Sequence, residues 1–290
     1  MNTEQLICEL PNGLIGWYPF EKDKKALYII DDARAFLPFI KVLESKQLEV
    51  DVLTVEDLES QIHAGKSCFY DYIVIALALE KSRNPQMLLG ILKPMLTDAG
   101  KLLAVVNNRF GIRYFCGDKD VYTKHVLDSI DDYSQVSDKR KAEIGGRTYD
   151  KAQWKEMLRA AGFCRQKFYS VMPSVMRPQI LISEDYTPNE VLDIRVFPQY
   201  NSPQTVFLEE EKLYSDLLRN GMFHPMANGY LIECSVDGEL ESADQITISG
   251  DRGHVNSLVT VIRNGKSVTK KALYQEGRNK ISDLNNNSIY

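Results

Sequence analysis

The chain has 290 residues, 44% of them apolar and 26% charged, and this composition excludes collagen-like, coiled-coil and wholly disordered proteins. Its 35 basic and 40 acidic side chains give a net charge of -5, which is the wrong sign for a protein that binds a nucleic-acid backbone. Residues 1–183 carry 25 basic and 24 acidic side chains, whereas residues 184–290 carry 10 and 16. We therefore expect a globular protein whose balance of basic and acidic side chains changes near residue 184.

The sequence carries no signal for a membrane or for secretion. No stretch approaches the roughly 18 consecutive apolar residues of a transmembrane helix, and the first ten residues lack the basic and apolar blocks of a signal peptide. The five cysteines are scattered without a CxxC pair, so neither a disulfide framework nor a metal site is expected. The sequence predicts a cytoplasmic protein with no membrane span and no nucleic-acid partner.

Strands and helices alternate through the first half of the chain. Short apolar runs indicate buried strands, and apolar residues three and four positions apart indicate helices between them. The predicted strands cover residues 25–30, 48–55, 70–77 and 101–107, and the predicted helices cover residues 35–46, 56–63 and 85–96. Because parallel strands need crossover connections, this alternation predicts an α/β fold: a Rossmann-like, mostly parallel sheet with flanking helices.

The alternation of strands and helices is no longer clear after the fourth predicted strand. Residues 108–147 are aromatic and charged without a clear period, and their length indicates a lid or an insertion rather than a simple loop. A helix capped by Thr148 or Asp150 follows. Two further strands, over residues 165–170 and 179–183, are expected to complete the sheet as an antiparallel edge.

The sequence beyond residue 188 indicates a second, smaller unit. We divide the chain into a Rossmann-like domain, residues 1–188, and a small C-terminal α+β unit, residues 189–290. Within the second unit we predict a helix over residues 206–219 and strands over residues 230–234, 246–249, 258–263 and 267–272. Asn264 and Gly265 between the last two strands are typical of a tight hairpin turn.

Polar residues follow each predicted strand, at the edge where α/β sheets bind ligands. The candidate site residues are Asp31 and Asp32 after the first strand, Glu56 after the second, the segment 80–84 after the third, and Asn107 after the fourth. Glu56 and Asp57 after the second strand are either acceptors for ribose hydroxyls or charges at a helix N-terminus, and Asn107 is either a ligand contact or a turn former. The phosphate-binding patterns GxGxxG and GxxxxGK[ST] are absent from the sequence.

Several segments together resemble a known family. Residues 70–75, 92–100 and 101–108 resemble the later strands, and the helix between them, of class I methyltransferases that use S-adenosylmethionine. The succession of residues 108–117, 146–151, 158–163, 167–169 and 183–188 is similar to a bacterial subgroup of methyltransferase-like domains associated with glycosyltransferases of surface-polysaccharide assembly. The resemblance covers about residues 14–188.

The resemblance implies a reaction and a site. The expected reaction transfers a methyl group from S-adenosylmethionine to an oxygen of a sugar or surface-glycan acceptor. The expected cofactor contacts are Asp31, Asp32, Glu56 and Asn107, and the expected acceptor contacts are Arg109 and Tyr114. No catalytic residue and no metal ligand follows from the resemblance.

The turn after the first strand departs from the pattern of the family. The family has a glycine-rich turn that receives the methionine part of the cofactor, and this sequence has no glycine from Lys25 to Lys46. Asp31 and Asp32 also bring negative charge toward the cofactor carboxylate, and two like charges about 4 Å apart cost about 4 kcal/mol at an effective dielectric constant of about 20. A second hypothesis is therefore a module with a degenerate motif that serves as a binding or assembly partner of a glycosyltransferase.

Overall fold

The computed structural model describes residues 3–30, 36–63, 69–188, 191–274 and 277. The strands within these residues are β1 (Lys25–Ile30), β2 (Glu49–Thr54), β3 (Tyr70–Ala76), β4 (Leu96–Asn107), β5 (Arg165–Met172), β6 (Ile180–Ser183), β7 (Gly229–Ser235), β8 (Ala243–Ser249), β9 (Leu258–Arg263) and β10 (Ser267–Ala272). They form one sheet in the order β10-β9-β8-β6-β5-β7-β4-β3-β1-β2.

Helices lie on both faces of this sheet. They are α1 (Thr3–Glu9), α2 (Gly13–Gly16), α3 (Pro38–Ser45), α4 (Val55–His63), α5 (Ala78–Lys81), α6 (Pro85–Leu92), α7 (Ile112–Phe115), α8 (Asp138–Glu143), α9 (Lys151–Ala160) and α10 (Tyr214–Arg219). In the ranges given above, none of the helices is both long enough and apolar enough to cross a membrane.

Strands β1 to β4 form the parallel part of the sheet. β1 lies between β2 and β3, and β3 also pairs with β4, all in parallel. Each connection carries a helix, since α3 joins β1 to β2, α4 joins β2 to β3, and α5 and α6 join β3 to β4. The sheet is mixed, with parallel core strands and flanking helices, and the predicted Rossmann-like α/β fold is confirmed.

The other six strands are antiparallel to their neighbours. β7 lies between β4 and β5, with Gly229 beside both Asn107 and Val171. β6 separates β5 from β8, and β9 and β10 follow. The prediction that β5 and β6 form an edge is wrong, because β7 and β8 come from after residue 228 and pair on either side of them.

The four strands after residue 188 belong to the same sheet as the first part: β7 lies inside it, and β8, β9 and β10 extend it. The division into residues 1–188 and 189–290 stays a prediction, and the sheet runs across it. The predicted helix over residues 206–219 is wrong in its first half, since α10 begins only at Tyr214. Residues 210–213 form a 3-10 helix directly before α10. The backbone N–H of Phe207 donates to the carbonyl oxygen of Cys116 at 3.0 Å, which ties this segment to the residue after α7.

The two faces of the sheet carry separate apolar cores, because successive side chains of a strand point to opposite faces. Leu27 and Ile29 of β1 belong to one core, and Ala26 and Tyr28 belong to the other. Side chains from α5, α6 and α9 fill the first core, and side chains from α2 and α3 fill the second. Both faces near the parallel strands are thus covered, which leaves the ends of the strands for a site.

Candidate functional site

The ends of several strands meet at one edge of the sheet, which we name the carboxyl edge. β1 to β4 end there because they are parallel. β5 runs in the direction of β4, since both are antiparallel to β7, and β8 runs in the direction of β5, since both are antiparallel to β6. Open α/β sheets bind their ligands outside the carboxyl ends of the strands.

A first cavity opens where β1, β2 and β3 end, and its volume is about 520 Å³. Its lining consists of Ile30, Val55, Glu56, Ala78, Lys81, Ser82, Arg83, Asn84, Met87, Leu88, Ile91 and Gly145. The volume falls within the range of about 300–1,000 Å³ that is usual for sites of small molecules. Among the described residues of this lining, apolar side chains lie beside Glu56, Lys81 and Arg83, so the first cavity suits a ligand with both apolar and charged parts.

The two carboxylates that open α4 have different surroundings. Asp57 is engaged with Thr54, whose hydroxyl donates to Asp57 Oδ2 at 2.9 Å and accepts from the Asp57 backbone N–H at 3.1 Å. Glu56 is exposed and lines the first cavity. An acidic residue at this position of a Rossmann-like sheet is placed to accept hydrogen bonds from ribose hydroxyls.

A second cavity, of about 380 Å³, opens beside the end of β4. Its lining consists of Leu77, Lys81, Asn107, Arg113, Val121, Tyr122, Ser174, Met176, Arg177, Gln199, Tyr200 and Asn201. Lys81 lines both cavities, so they are neighbours along the carboxyl edge. Among the described residues of this lining, the side chains charged at neutral pH are Lys81, Arg113 and Arg177, and all three are basic.

A buried carboxylate fixes the wall of the second cavity. Glu80 is fully buried, and it accepts hydrogen bonds from the backbone N–H and the side-chain amide of Asn107 and, at 2.7 Å, from the hydroxyl of Tyr122. Burial raises the pKa of Glu80 to about 7, although these hydrogen bonds act in the opposite direction. Glu80 therefore holds Asn107 and Tyr122 in place and titrates near neutral pH behind them.

The turn from β3 into α5 is strained at Leu77. Its φ of 59° lies in the left-handed region, which costs a residue other than glycine roughly 1–2 kcal/mol. The backbone N–H of Leu77 donates to the carbonyl oxygen of Val105 at 2.9 Å, and this bond anchors the turn to β4. Backbone strain of this kind concentrates at functional sites, and Leu77 lines the second cavity.

An ion pair fixes the outer wall of the second cavity. Arg113 Nε donates to Asp118 Oδ2 at 2.7 Å, and both side chains are buried. Asp118 also accepts hydrogen bonds from the backbone N–H groups of Asn201 at 2.9 Å and Ser202 at 2.8 Å. These contacts hold residues 199–201 against the cavity.

The predicted cofactor residues fall in different places. Asp31 and Asp32 lie outside the described residues. Glu56 lines the first cavity and Asn107 lines the second, so both lie at the carboxyl edge. Their contact with a cofactor stays a prediction. In the part of the chain that the structure describes, no group of three His, Cys, Asp or Glu side chains is arranged to hold a metal ion.

The predicted acceptor residues lie beside these cavities rather than in their linings. Arg109 is held by Asp150, whose Oδ2 is 2.8 Å from Arg109 Nη2, and by the carbonyl oxygen of Ile130 at 3.0 Å. Tyr114 is buried, its hydroxyl has no hydrogen-bond partner among the described residues, and burial raises its pKa. Contact of Arg109 and Tyr114 with an acceptor stays a prediction.

Sequence reasoning found part of the two linings. The polar segment 80–84 was predicted to line a crevice, and residues 81–84 do line the first cavity. Arg113, Tyr122 and Arg177 were not identified as site residues. The first two belong to the irregular segment 108–147, which was predicted to be a lid or an insertion. For these two residues, the only signal in the sequence is that the segment lacks a clear hydrophobic periodicity.

No family model and no curated protein matches this chain. Solved structures with a related architecture include a methyltransferase of Thermotoga maritima described as a possible histamine N-methyltransferase, with 11% identity, a TM-score of 0.42, and coverage of 80% of this chain and 92% of that one. A putative methyltransferase of Haloferax volcanii, in complex with a methyltransferase activator, has 11% identity, a TM-score of 0.43, and coverage of 80% and 91%. A putative sarcosine dimethylglycine methyltransferase of Galdieria sulphuraria has 12% identity, a TM-score of 0.37, and coverage of 82% and 86%. At these values the likeness carries no conclusion about activity.

Proposed function

We propose that the chain is a methyltransferase that uses S-adenosylmethionine and methylates an oxygen of a sugar or glycan acceptor. The observation that supports this proposal most is the first cavity, which lies at the carboxyl ends of β1 to β3 and has Glu56 in its wall. Its position is the usual ligand position in an open α/β sheet. We take S-adenosylmethionine as the ligand because residues 14–188 resemble class I methyltransferases.

The residues of the first cavity fit the chemical groups of this cofactor. Glu56 would accept hydrogen bonds from the ribose hydroxyls, and Met87, Leu88 and Ile91 offer apolar surface to the adenine ring. Lys81 and Arg83 bring positive charge to the lining, which would favour the cofactor carboxylate. These two side chains would supply the electrostatic attraction that backbone N–H groups supply in a glycine-rich turn.

The second cavity would hold the acceptor, with Asn107 and Lys81 close to the junction of the two cavities. When bound, the cofactor supplies a methyl group on a positively charged sulfur, and the acceptor oxygen must lie about 3–3.5 Å from that carbon. The chain contributes chiefly by positioning, because Glu80 fixes Asn107 and Tyr122. The acceptor oxygen loses its proton as it gains the methyl group. Glu80 would take up that proton through the hydroxyl of Tyr122, which passes its own proton to Oε2.

Titration calorimetry of the full chain with S-adenosylmethionine and S-adenosylhomocysteine tests this proposal. We expect submillimolar dissociation constants, and we expect Glu56→Gln to weaken binding about tenfold, because hydrogen bonds to a charged acceptor contribute about 1.5–3 kcal/mol. Glu49→Gln is the matched control, since Glu49 lies at the opposite end of β2 and pairs with Lys25. The absence of heat at millimolar concentrations of both ligands would refute the proposal.

The second candidate function is a methyltransferase-like module without catalysis that assembles with a glycosyltransferase. The observation that favours it is the lack of glycine from Lys25 to Lys46. The same titration separates the two candidates, because a module that has lost cofactor binding gives no heat with either ligand and no difference between wild type and Glu56→Gln.

A further inference from the structure

A third cavity, of about 360 Å³, lies at the carboxyl edge beyond the second. Its lining consists of Leu10, Arg177, Pro178, Gln179, Arg195, Phe197, Gln199, Thr247, Ile248, Ser249, Gly250, Asp251 and Arg252. The cavity opens where β6 begins and β8 ends. These two strand ends lie on the same edge as the end of β4, because of the antiparallel pairings through β7 and β5.

The second and third cavities share part of their walls. Arg177 and Gln199 line both, and Arg177 Nη1 donates to Gln199 Oε1 at 3.1 Å. Lys81 joins the first cavity to the second in the same way. The three cavities therefore form a row along the carboxyl edge.

The charge of the third cavity is positive in a chain whose net charge is -5. Its lining contains Arg177, Arg195 and Arg252 against one acidic side chain, Asp251. A concave surface that concentrates charge of one sign attracts ligands of the opposite sign. Arginine is also the side chain best suited to bind carboxylate or phosphate oxygens in pairs.

An exposed aromatic side chain lies beside these arginines. Phe197 lines the third cavity with 62% of its surface exposed. Its backbone N–H donates to Gln179 Oε1 at 2.9 Å, which fixes this segment to the start of β6. An exposed aromatic ring next to arginines offers an apolar surface to the C–H face of a sugar ring whose acidic group binds the guanidinium.

We propose that the third cavity binds the carboxylate or phosphate group of an acidic glycan whose reacting end lies in the second cavity. This inference rests on the proposed function for the reacting end and names the class of acceptor. The glycan would lie across Arg177, with its acidic group at Arg195 and Arg252 and its sugar ring on Phe197.

Calorimetric titration of the full chain with three probes tests the inference. The probes are tetragalacturonate, which carries carboxylates, glucose 1-phosphate, which carries phosphate, and maltotetraose, which is neutral. We expect at least one anionic probe to bind at least tenfold more tightly than maltotetraose, and the tighter of the two identifies the acidic group. Equal affinity for the neutral probe, or no binding of either anionic probe at millimolar concentration, would overturn the inference.

The variant Arg195→Ala/Arg252→Ala identifies the site of binding. Both side chains are exposed, so the variant is expected to fold, and we expect it to bind the anionic probe about tenfold more weakly. Arg159→Ala is the matched control, an exposed arginine in the last turn of α9, and its affinity should equal that of the wild type. Unchanged affinity in the double variant would overturn the inference.

The same samples are titrated with S-adenosylhomocysteine, so that the two proposals fail separately. Binding of S-adenosylhomocysteine without any effect of the double variant on the anionic probe rejects the acidic-glycan site and keeps the proposed function. A second outcome is that the double variant loses binding of the anionic probe while the wild type does not bind S-adenosylhomocysteine. That outcome supports the anion site and rejects the proposed methyltransferase function.

Discussion

Glu80 is the residue on which the geometry of the second cavity most depends. Its carboxylate is buried at the end of α5 and receives three hydrogen bonds from Asn107 and Tyr122, two residues of the cavity wall. In the sequence, Glu80 belongs to a polar segment after a predicted strand, and an acidic residue in such a segment is usually exposed. Its burial depends on Tyr122 and Asn107, which lie 42 and 27 positions away, and local sequence patterns carry no information on such contacts.

Glu80 should make the stability of the protein depend on pH. Because burial raises its pKa from 4.5 to about 7, the folded state keeps the proton over a range in which the unfolded state loses it. The contribution of Glu80 to the free energy of unfolding is therefore highest below pH 4.5 and falls as pH rises to about 7, by up to about 3 kcal/mol. We expect Glu80→Gln to remove this fall.

Urea denaturation of the wild type and Glu80→Gln at pH 5, 6, 7 and 8 checks this prediction. The difference in unfolding free energy between the two proteins should change with pH up to about 7 and then stay constant. Glu210, whose pKa is also raised to about 7 by burial, is present in both proteins and cancels in the difference. Parallel stability curves would show that Glu80 does not titrate in this range.

The site residues differ in how far the sequence reveals them. Glu56 and Asn107 follow predicted strands directly, and the topology of a parallel sheet brings such positions to one edge. Arg177, Arg195 and Arg252 lie far apart along the chain, in irregular segments. The pairing of β6 with β5 and β8 and the hydrogen bond from Phe197 to Gln179 bring them to one cavity, so no spacing in the sequence predicts it.

Among the elements, β1 to β4 and the helices between them could be predicted because each strand is a buried apolar run and each helix has an apolar face. Small differences in length have local causes: α6 ends at Leu92 rather than 96, since Pro94 lacks the N–H that continues a helix. The position of β7 between β4 and β5 depends on pairs that are 122 to 134 residues apart along the chain for β4 and 58 to 70 residues apart for β5. No local pattern reports such a pairing.

The position of β7 predicts how a truncated chain behaves. A chain that ends at residue 188 lacks β7, which pairs with seven residues of β4 and seven of β5. It also lacks Tyr230 and Ile232, which are buried in one core. We expect this fragment to give no cooperative unfolding transition in circular dichroism.

A chain that ends at residue 274 keeps all of the strands in the described sheet and serves as the control, with an expected transition close to that of the full chain. A cooperative transition in the 1–188 fragment would instead show that residues 1–188 fold without β7 to β10.

At the scale of the whole molecule, the chain separates its charge. The net charge is -5, yet the described residues that line the second and third cavities include five basic side chains and one acidic side chain, Asp251. The sheet aligns the strand ends into one edge, and the three cavities form a row along it. The proposed functions of these cavities follow this order: the cofactor in the first, the reacting end of the acceptor in the second, and its acidic group in the third.

Hydrogen–deuterium exchange with and without millimolar S-adenosylhomocysteine tests the central claim, that the first cavity is a cofactor site, most directly. We expect slower exchange of backbone amides at residues 54–57 and 78–88, which border the first cavity, and unchanged exchange at residues 46–49, at the opposite end of β2. Unchanged exchange at residues 54–57 and 78–88, or slower exchange confined to other segments, would contradict the claim.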